Sequence, residues 1–303
     1  MGIIKKLWHN SFIYKKIEAF VEAKAAKIAR KMAASEIWTA CSDKPNMRLK
    51  KNIGDGIFMY CYVDSIVAEL IFKELFEQDE LLFLKRFLRH QDTFIDVGAN
   101  IGLFSLLASK YVGESGRVIA FEPASTAYRR LQENIELNNL KNIQAHQMAL
   151  SSRDGQAELK VASEGYDAWN SLAKPSSGKV VGSEIVPTLT LDSFLQKEGV
   201  GSISLIKIDV EGWEIPVLRG AKELLNLANA PTLIVEFTEE NAQNAGFSCK
   251  ELYQLLVDYG YKLFTYNATK NCLVPENLRA YYPYVNIIAT KQPKFVERRL
   301  RNK

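Results

Sequence analysis

Gln91–Pro123 reads QDTFIDVGANIGLFSLLASKYVGESGRVIAFEP, and its periodicity decides the fold. Thr93 to Val97 is a short β-rich apolar run that stops at a turn containing Gly98, Asn100 and Gly102. From Leu103 the apolar residues change period, with Leu103, Leu106, Leu107 and Tyr111 falling on one face of a helix. Gly113 and Gly116 end that helix, and Arg117 to Phe121 forms a second strand that stops at Glu122-Pro123. A glycine turn above a helix N-terminus lets a ligand lie against backbone, and an acid at the tip of the next strand can accept both hydroxyls of a ribose. The unit therefore predicts a nucleoside-bearing cofactor. Dinucleotide folds use G-x-G-x-x-G to seat a pyrophosphate. Here an acid, Asp96, precedes the first glycine and there is no matching third one, which suits a cationic ligand group better than a pyrophosphate. S-adenosylmethionine is favoured over NAD. A purely structural strand-turn-helix corner is the competing reading, and Glu122 weighs against it.

Outward from this unit, strands and helices keep alternating. Ala124 to Leu137 reads as helix, Ile143 to Leu150 as a third strand, and Gly155–Val161 and Ile185–Leu191 as additional strands around a loop at Ala162–Ser183 that carries Tyr166, Trp169 and Asn170. A short helix begins near Thr190. Strands four to seven fall at Ser202–Ile208, Thr232–Phe237, Tyr261–Tyr266 and Val285–Ala289, with helices after the fourth and at Ser248–Tyr259. The expected architecture is α/β: a doubly wound, mostly parallel, seven-stranded Rossmann-like sheet with helices on both faces. A helical extension precedes it. The expected units are 1–40 as an amphipathic basic helix, 41–90 as a lead-in strand and helices covering the cleft, 91–290 as the main domain, and 291–303 as a basic tail. Pro45 to Lys51 is expected to be a polar connection.

Composition excludes several classes. The chain has 303 residues, 47% hydrophobic and 24% charged, as in ordinary globular proteins. Its four cysteines, Cys41, Cys61, Cys249 and Cys272, show no C-x-x-C spacing, and three histidines are too few for a multi-histidine metal centre. Eight Lys or Arg face three Glu in residues 1–40, and six face one in 291–303, so each end is +5 and the middle is −6 within a total of +4. Such a distribution argues against a specific nucleic-acid binder, which carries its positive charge over the fold. Ile4, Leu7, Trp8, Ile13, Ile17, Phe20, Val21, Ile28 and Met32 recur at helical spacing, so residues 1–38 are a candidate contact with a membrane surface, an oligomer partner or the body of the protein. A signal peptide fits poorly and no apolar run reaches transmembrane length. The expected location is cytoplasmic, with peripheral attachment at the inner membrane surface as a variant.

Ligands in such sheets bind outside the carboxyl ends of the strands. That rule collects Asp96, Glu122, Asp209, Glu211 and Glu236 at one edge. Spacing leaves three explanations open for the carboxylates: holding an amino group, acting as a general base, or binding a divalent metal through Asp209 and Glu236. Lys207 and Asp209 share a strand face, as a structural ion pair or as a device that tunes the reacting group. His146, mid-strand, reads as a packed or surface histidine.

Taken together, FIDVGANIG, FEP and LIKIDVEGWEIPVLRGA, with VPTLTLDSFL before strand four and LIVEF after it, resemble the FkbM family of S-adenosylmethionine-dependent methyltransferases, of the class I methyltransferase fold. The resemblance runs from Phe76-Glu77 to the end of strand six. It implies methyl transfer to oxygen on a sugar, a polysaccharide precursor or another hydroxylated small molecule. By match of motif it implies that Asp96, Gly98, Asn100 and Gly102 surround the methionine part, Glu122 holds the ribose, and Met148-Ala149 border the adenine. Asp209 is implied near the transferred methyl group with Glu211 and Glu214 beside it, and Glu77 matches an upstream acid. No N/D-P-P-Y/F follows strand four, which argues against a nucleobase or amide acceptor. The competing classes are a nicotinamide-dependent oxidoreductase and a non-catalytic member of the methyltransferase fold.

Overall fold

A computed structural model describes residues 12–44, 47–162, 170–173 and 180–301. In chain order its helices and strands are α1 (Phe12–Thr39), β1 (Arg48–Gly54), β2 (Ile57–Tyr62), α2 (Ile66–Phe72), α3 (Gln78–Phe87), β3 (Thr93–Val97), α4 (Leu103–Val112), β4 (Arg117–Phe121) and α5 (Ser125–Leu137). Then follow β5 (Ile143–His146), β6 (Ala149–Leu150), β7 (Gly155–Ala162), β8 (Val180–Leu189), α6 (Leu191–Glu198), β9 (Leu205–Ile208), α7 (Glu214–Arg219) and α8 (Lys222–Asn226). The chain closes with β10 (Thr232–Phe237), α9 (Glu239–Asn244), α10 (Cys249–Asp258), β11 (Lys262–Asn267), β12 (Cys272–Pro275), β13 (Val285–Thr290) and α11 (Pro293–Arg301).

The central sheet has the order β12-β11-β13-β10-β9-β3-β4-β5. It contains the seven expected strands and an eighth, β12, at the edge. Strands β5, β4, β3, β9 and β10 pair in parallel, whereas β13 runs antiparallel between β10 and β11. The order turns back beside β3, so the β3–β4 turn and the ends of β9 and β10 open onto one edge. The additional strands at 155–162 and 180–189 form a separate three-stranded sheet with β6.

Period two sorts the strand residues between two cores. Phe94, Val118, Ala120, Leu205, Ile234 and Ile288 pack under α3 and α4 on one face. Ile95, Ile119, Ile206, Ile208, Leu233 and Val235 pack with α6, α7 and α10 on the other. Continuing the first set by one step toward the carboxyl edge reaches Asp96, Lys207 and Glu236, and on antiparallel β13 it reaches Asn286. The register makes these neighbours: Asp96 lies opposite Lys207, and Glu236 opposite Asn286. One apolar face thus ends in a buried polar row.

Two parts of the sequence reading change. Residues 48–54 are not a connection: β1 pairs antiparallel with β2, and the hairpin docks on α5 where Asn134 and Asn138 accept from the backbone N–H groups of Tyr60 and Phe58. The basic 291–303 segment is not a free tail. Its residues 293–301 form α11, which buries Val296 and Leu300 and whose Arg299 guanidinium donates to both oxygens of Asp92. The helix at 12–39 touches the body through Trp38, which packs on Phe72, whereas Val21, Ile28 and Met32 are exposed. Residues 1–11 and the loop carrying Tyr166 and Trp169 lie outside the described residues. Among the described residues, no helix is long and apolar enough to cross a membrane.

Candidate active site

All but one of the expected site residues meet in one cavity. Glu77, Asp96, Gly98, Asn100, Gly102, Glu122, Met148, Ala149, Asp209, Glu211 and Glu236 line a space of about 540 Å³, within the size range of small-molecule sites. Ile66, Val67 and Leu70 of α2 form an apolar wall, and Asn170, Ser171 and Leu172 reach in from the far side. Ser171 Oγ donates to the backbone carbonyl of Glu211 at 2.8 Å, which ties that side to the end of β9.

The glycines have a reason that the sequence did not give. Gly98 has φ +84°, in the left-handed region, and a Cβ there would collide with the backbone carbonyl of Asp209. Gly212, at φ +98°, would likewise collide with the carbonyl of Asn241. These glycines therefore let chain segments close on one another: the first seats Asp209 beside the turn, the second seats Asn241 beside Glu211. Gly98→Ala should cost about 3 kcal/mol, because strain and collision act together and the colliding partner is backbone. A denaturant titration that places the variant within 1 kcal/mol (about one third of this) of wild type would show that the turn can relax.

At the turn, Glu122 accepts from the N–H groups of Asn100 at 2.8 Å and Ala124 at 2.9 Å, which fixes its carboxylate at the tip of β4. Asp96 is fully buried. Its Oδ2 accepts from Ser105 Oγ at 2.6 Å, while Oδ1 has no partner. Burial pushes the Asp96 carboxyl up, against the pull of Lys207. Lys207 Nζ lies 2.6 Å from Asp209 Oδ2 and 3.8 Å from Glu77 Oε2, and 4.6 Å from the centroid of the Phe104 ring. Burial alone would lower its pKa, but Asp209, Glu77 and Asp96 outweigh it, so the ammonium stays charged. For Asp209 burial works upward and Lys207 downward, and the ion pair wins.

Beyond this pair lie Glu211 and Glu236. One oxygen from each of Asp209, Glu211 and Glu236 lies within 4.8 Å of the others. Asn241 Nδ2 donates to Glu211 Oε2 at 2.6 Å and, more weakly, to Glu236 Oε1 at 3.5 Å, and Thr238 Oγ1 donates to Glu236 Oε1 at 2.6 Å. Burial raises both glutamates, reinforced for Glu236 by Glu211 and Asp209 and for Glu211 by Asp209 and Glu214. Glu77, Asn100 and Glu211 all have positive φ, a costly conformation that persists only where the surroundings impose it.

One expectation needs correction and one holds. Glu214 does not stand in the cavity beside Asp209: its carboxylate turns back to accept from the N–H groups of Val210 and Gly212, bracing the turn before α7. Lys207 pairs with Asp209 and is itself a lining residue of the cavity. His146 lies outside the cavity, stacked on Phe121 and edge-on to Phe194. The residues missed by sequence are Asn241, Tyr284 and Asn286. Tyr284 donates its hydroxyl to Glu77 Oε1 at 2.7 Å, and Asn286 approaches the same oxygen at 3.3 Å.

Glu77 carries a pH consequence. Burial raises its carboxyl to about 7 from an ordinary 4.5; Lys207 and Tyr284 oppose that rise, while Asp209 and Glu80 add to it. The folded state therefore holds a proton that the unfolded chain releases between pH 4.5 and about 7. This contribution to stability is complete below pH 4.5 and is lost as pH rises through about 7. Glu214, raised to about 7 by burial, adds in the same direction. The melting temperature of the ligand-free protein should fall between pH 5.5 and 8, and Glu77→Gln should flatten the fall; an unchanged slope in that variant would remove Glu77 from the account.

The same residues connect the chain to known proteins. Residues 96–263 match the family profile described as the methyltransferase FkbM domain. Methyltransferase 1 of Beauveria bassiana is 31% identical over 173 residues, covering 52% of this chain and 68% of that protein. Hexuronic acid methyltransferase AglP of Haloferax volcanii is 29% identical over 180 residues, covering 59% and 67%. Among solved structures, methyltransferase FkbM from Methylobacillus flagellatus aligns over 87% of this chain and 60% of its own, at 14% identity and a TM-score of 0.42.

Proposed function

The chain belongs to the FkbM methyltransferase family of S-adenosylmethionine-dependent enzymes, and from that premise we propose that it methylates a hydroxyl oxygen on a sugar, a polysaccharide precursor or another small hydroxylated molecule. The observation that carries this reading is the group of Asp209, Glu211 and Glu236 at the carboxyl ends of β9 and β10, in the same cavity as the turn of Gly98 to Gly102. A hydroxyl is a poor nucleophile and must lose its proton as the new bond forms, so an oxygen acceptor calls for carboxylates in that place. The residues after β9, Asp209-Val210-Glu211-Gly212, also lack the N/D-P-P-Y/F run that would clamp an amide or a nucleobase amine.

The cavity suits the family's cofactor. Asp96 Oδ1, buried and without a partner, supports a place for a cationic amino group, and Glu122, held by two N–H groups, one for a ribose. Met148 and Ala149 offer an apolar border to an adenine. When bound, S-adenosylmethionine supplies a methyl group already activated on a sulfonium. The chain's own part is to hold the acceptor oxygen in line and to take its proton. Asp209, fixed by Lys207, and Glu236, fixed by Thr238, are the proposed proton acceptors. The hexuronic acid of one relative supports a carbohydrate acceptor here.

Calorimetric titration with S-adenosylhomocysteine, with NADH in parallel, tests the cofactor. Transfer of tritiated methyl to a panel of glycosides tests the acceptor. The expected result is binding of S-adenosylhomocysteine alone and an alkali-stable methyl ether. Binding of NADH alone, or an alkali-labile methyl ester as the only product, would overturn the proposal.

A further inference from the structure

The geometry points to a divalent-cation site formed by Asp209, Glu211 and Glu236, for an ion of the hard, oxygen-loving class of Mg2+, Mn2+ and Ca2+. The inference deepens the proposed function and rests on it, since the same carboxylates face the acceptor in that reading. One oxygen from each residue lies within 4.8 Å of the other two. Oxygens on opposite sides of a cation with bonds of about 2.4 Å are about 4.8 Å apart, so that upper bound is compatible with three ligands on one ion after small side-chain adjustments. An all-oxygen donor set without His or Cys excludes the softer metals.

A cluster of acids is not in itself a site, and the second observation is at Glu236. This side chain is 4% exposed, and its Oε2 receives no donor. The neighbouring donors are all committed to other atoms. Thr238 Oγ1 and Asn241 Nδ2 serve Oε1, and Lys207 Nζ is held by Asp209 Oδ2. Oε2 is thus left bare in the group that Glu236 forms with Asp209 and Glu211. Donors that hold one oxygen of a carboxylate and leave the other bare are a means by which surrounding groups orient metal ligands. Access is also provided, because Asp209 and Glu211 remain partly exposed while Glu236 forms the floor.

Charge supports the same conclusion. Glu77, Glu80, Asp96, Glu122, Asp209, Glu211, Glu236 and Glu240 line the cavity, and Lys207 is the one basic side chain among its described lining residues. The cofactor would add a single net positive charge, and a dication beside it offsets part of what remains. Placed there, the ion would hold the acceptor hydroxyl and ease loss of its proton. That proton leaves to a cavity carboxylate and then to water. The O–C bond forms as the C–S bond breaks, with the electron pair of the latter staying on sulfur, and the ion changes no oxidation state.

The test uses the full chain, freed of metal with a chelator and titrated with Mn2+ while free Mn2+ is followed by electron paramagnetic resonance, with and without S-adenosylhomocysteine. One bound Mn2+ per chain, displaced by Mg2+ or Ca2+, is the expected result. Glu236→Gln and Glu211→Gln should each weaken binding at least about tenfold, as loss of an oriented ligand does. The exposed Glu136→Gln on α5 should not. Retained S-adenosylhomocysteine binding certifies that each variant is folded. No bound Mn2+ at millimolar concentration, or undiminished binding in both glutamine variants, overturns the site and leaves a proton shared between Asp209 and Glu236 in its place. S-adenosylhomocysteine binding without Mn2+ binding sinks this inference alone; Mn2+ binding without S-adenosylhomocysteine binding sinks the proposed function instead.

Discussion

Asp209→Asn should cut methyl transfer by about a thousandfold while leaving the fold and the binding of S-adenosylhomocysteine near wild type, the size of effect that loss of an acid–base group has in this kind of chemistry. The substitution preserves shape. The backbone N–H of Asp209 still donates to the carbonyl of Val97, and the asparagine oxygen can still accept from Lys207. What disappears is the negative charge beside the acceptor and the means to take its proton. Glu236 does not substitute for Asp209 on equal terms, because burial and the nearby glutamate Glu211 raise its carboxyl well above its ordinary range, whereas Lys207 holds Asp209 low. The measurement is kcat and KM on the acceptor found by the radiolabel screen, with a melting curve beside it. The loss should appear in kcat and leave the cofactor's KM unchanged. Activity within tenfold of wild type (a ΔΔG‡ of about 1.4 kcal/mol) in a folded variant would remove Asp209 from the chemistry.

Much of this site was legible in the sequence because it follows from local rules. Strand ends collect at one edge of a doubly wound sheet, and the acids at the ends of β3, β4, β9 and β10 come with them. The period of two also put Lys207 and Asp209 on one face before any register was known. What escaped depends on pairing between distant segments. Asn241 reads as an ordinary helical residue, and it matters only because Gly212 lets α9 approach the end of β9. Tyr284 sits among Tyr281, Tyr282 and Pro283 with nothing local to single it out; its contact with Glu77 spans most of the domain. Strand β1 hid behind Arg48, Lys50 and Lys51, whose charges suggest a connection, because an exposed hairpin face tolerates them. Helix α11 was hidden by its charge as well, although Val296 and Leu300, four residues apart, are the spacing of a buried helical pair.

Lys207→Met should be the most destabilising single substitution in the cavity. The methionine fits the volume and the apolar contact with Phe104, so the change isolates the charge. Without the ammonium, Asp209 loses its 2.6 Å partner, Glu77 its 3.8 Å one, and Asp96 the cation opposite it in the register. Removing one partner of a buried ion pair costs about 3–5 kcal/mol, and here three carboxylates depend on the same ammonium. They have one escape, which is to take up protons. The lysine holds Asp209 low and restrains the rise of Glu77 and Asp96, so in its absence all three carboxyls move up and the folded variant binds more protons than the unfolded chain. By linkage its stability then falls as pH rises. Urea titrations at pH 5.5 and pH 8 should find the variant weakened at both, and much more so at pH 8. A loss of under 1 kcal/mol at pH 8, well below the cost of an orphaned buried charge, would mean that water or another cation reaches these acids and that Lys207 does not organise the row. A deficit equal at the two pH values would instead place its contribution in packing over Phe104. Only the pH-dependent loss makes the buried lysine the counter-charge that allows so many acids to converge on one cavity.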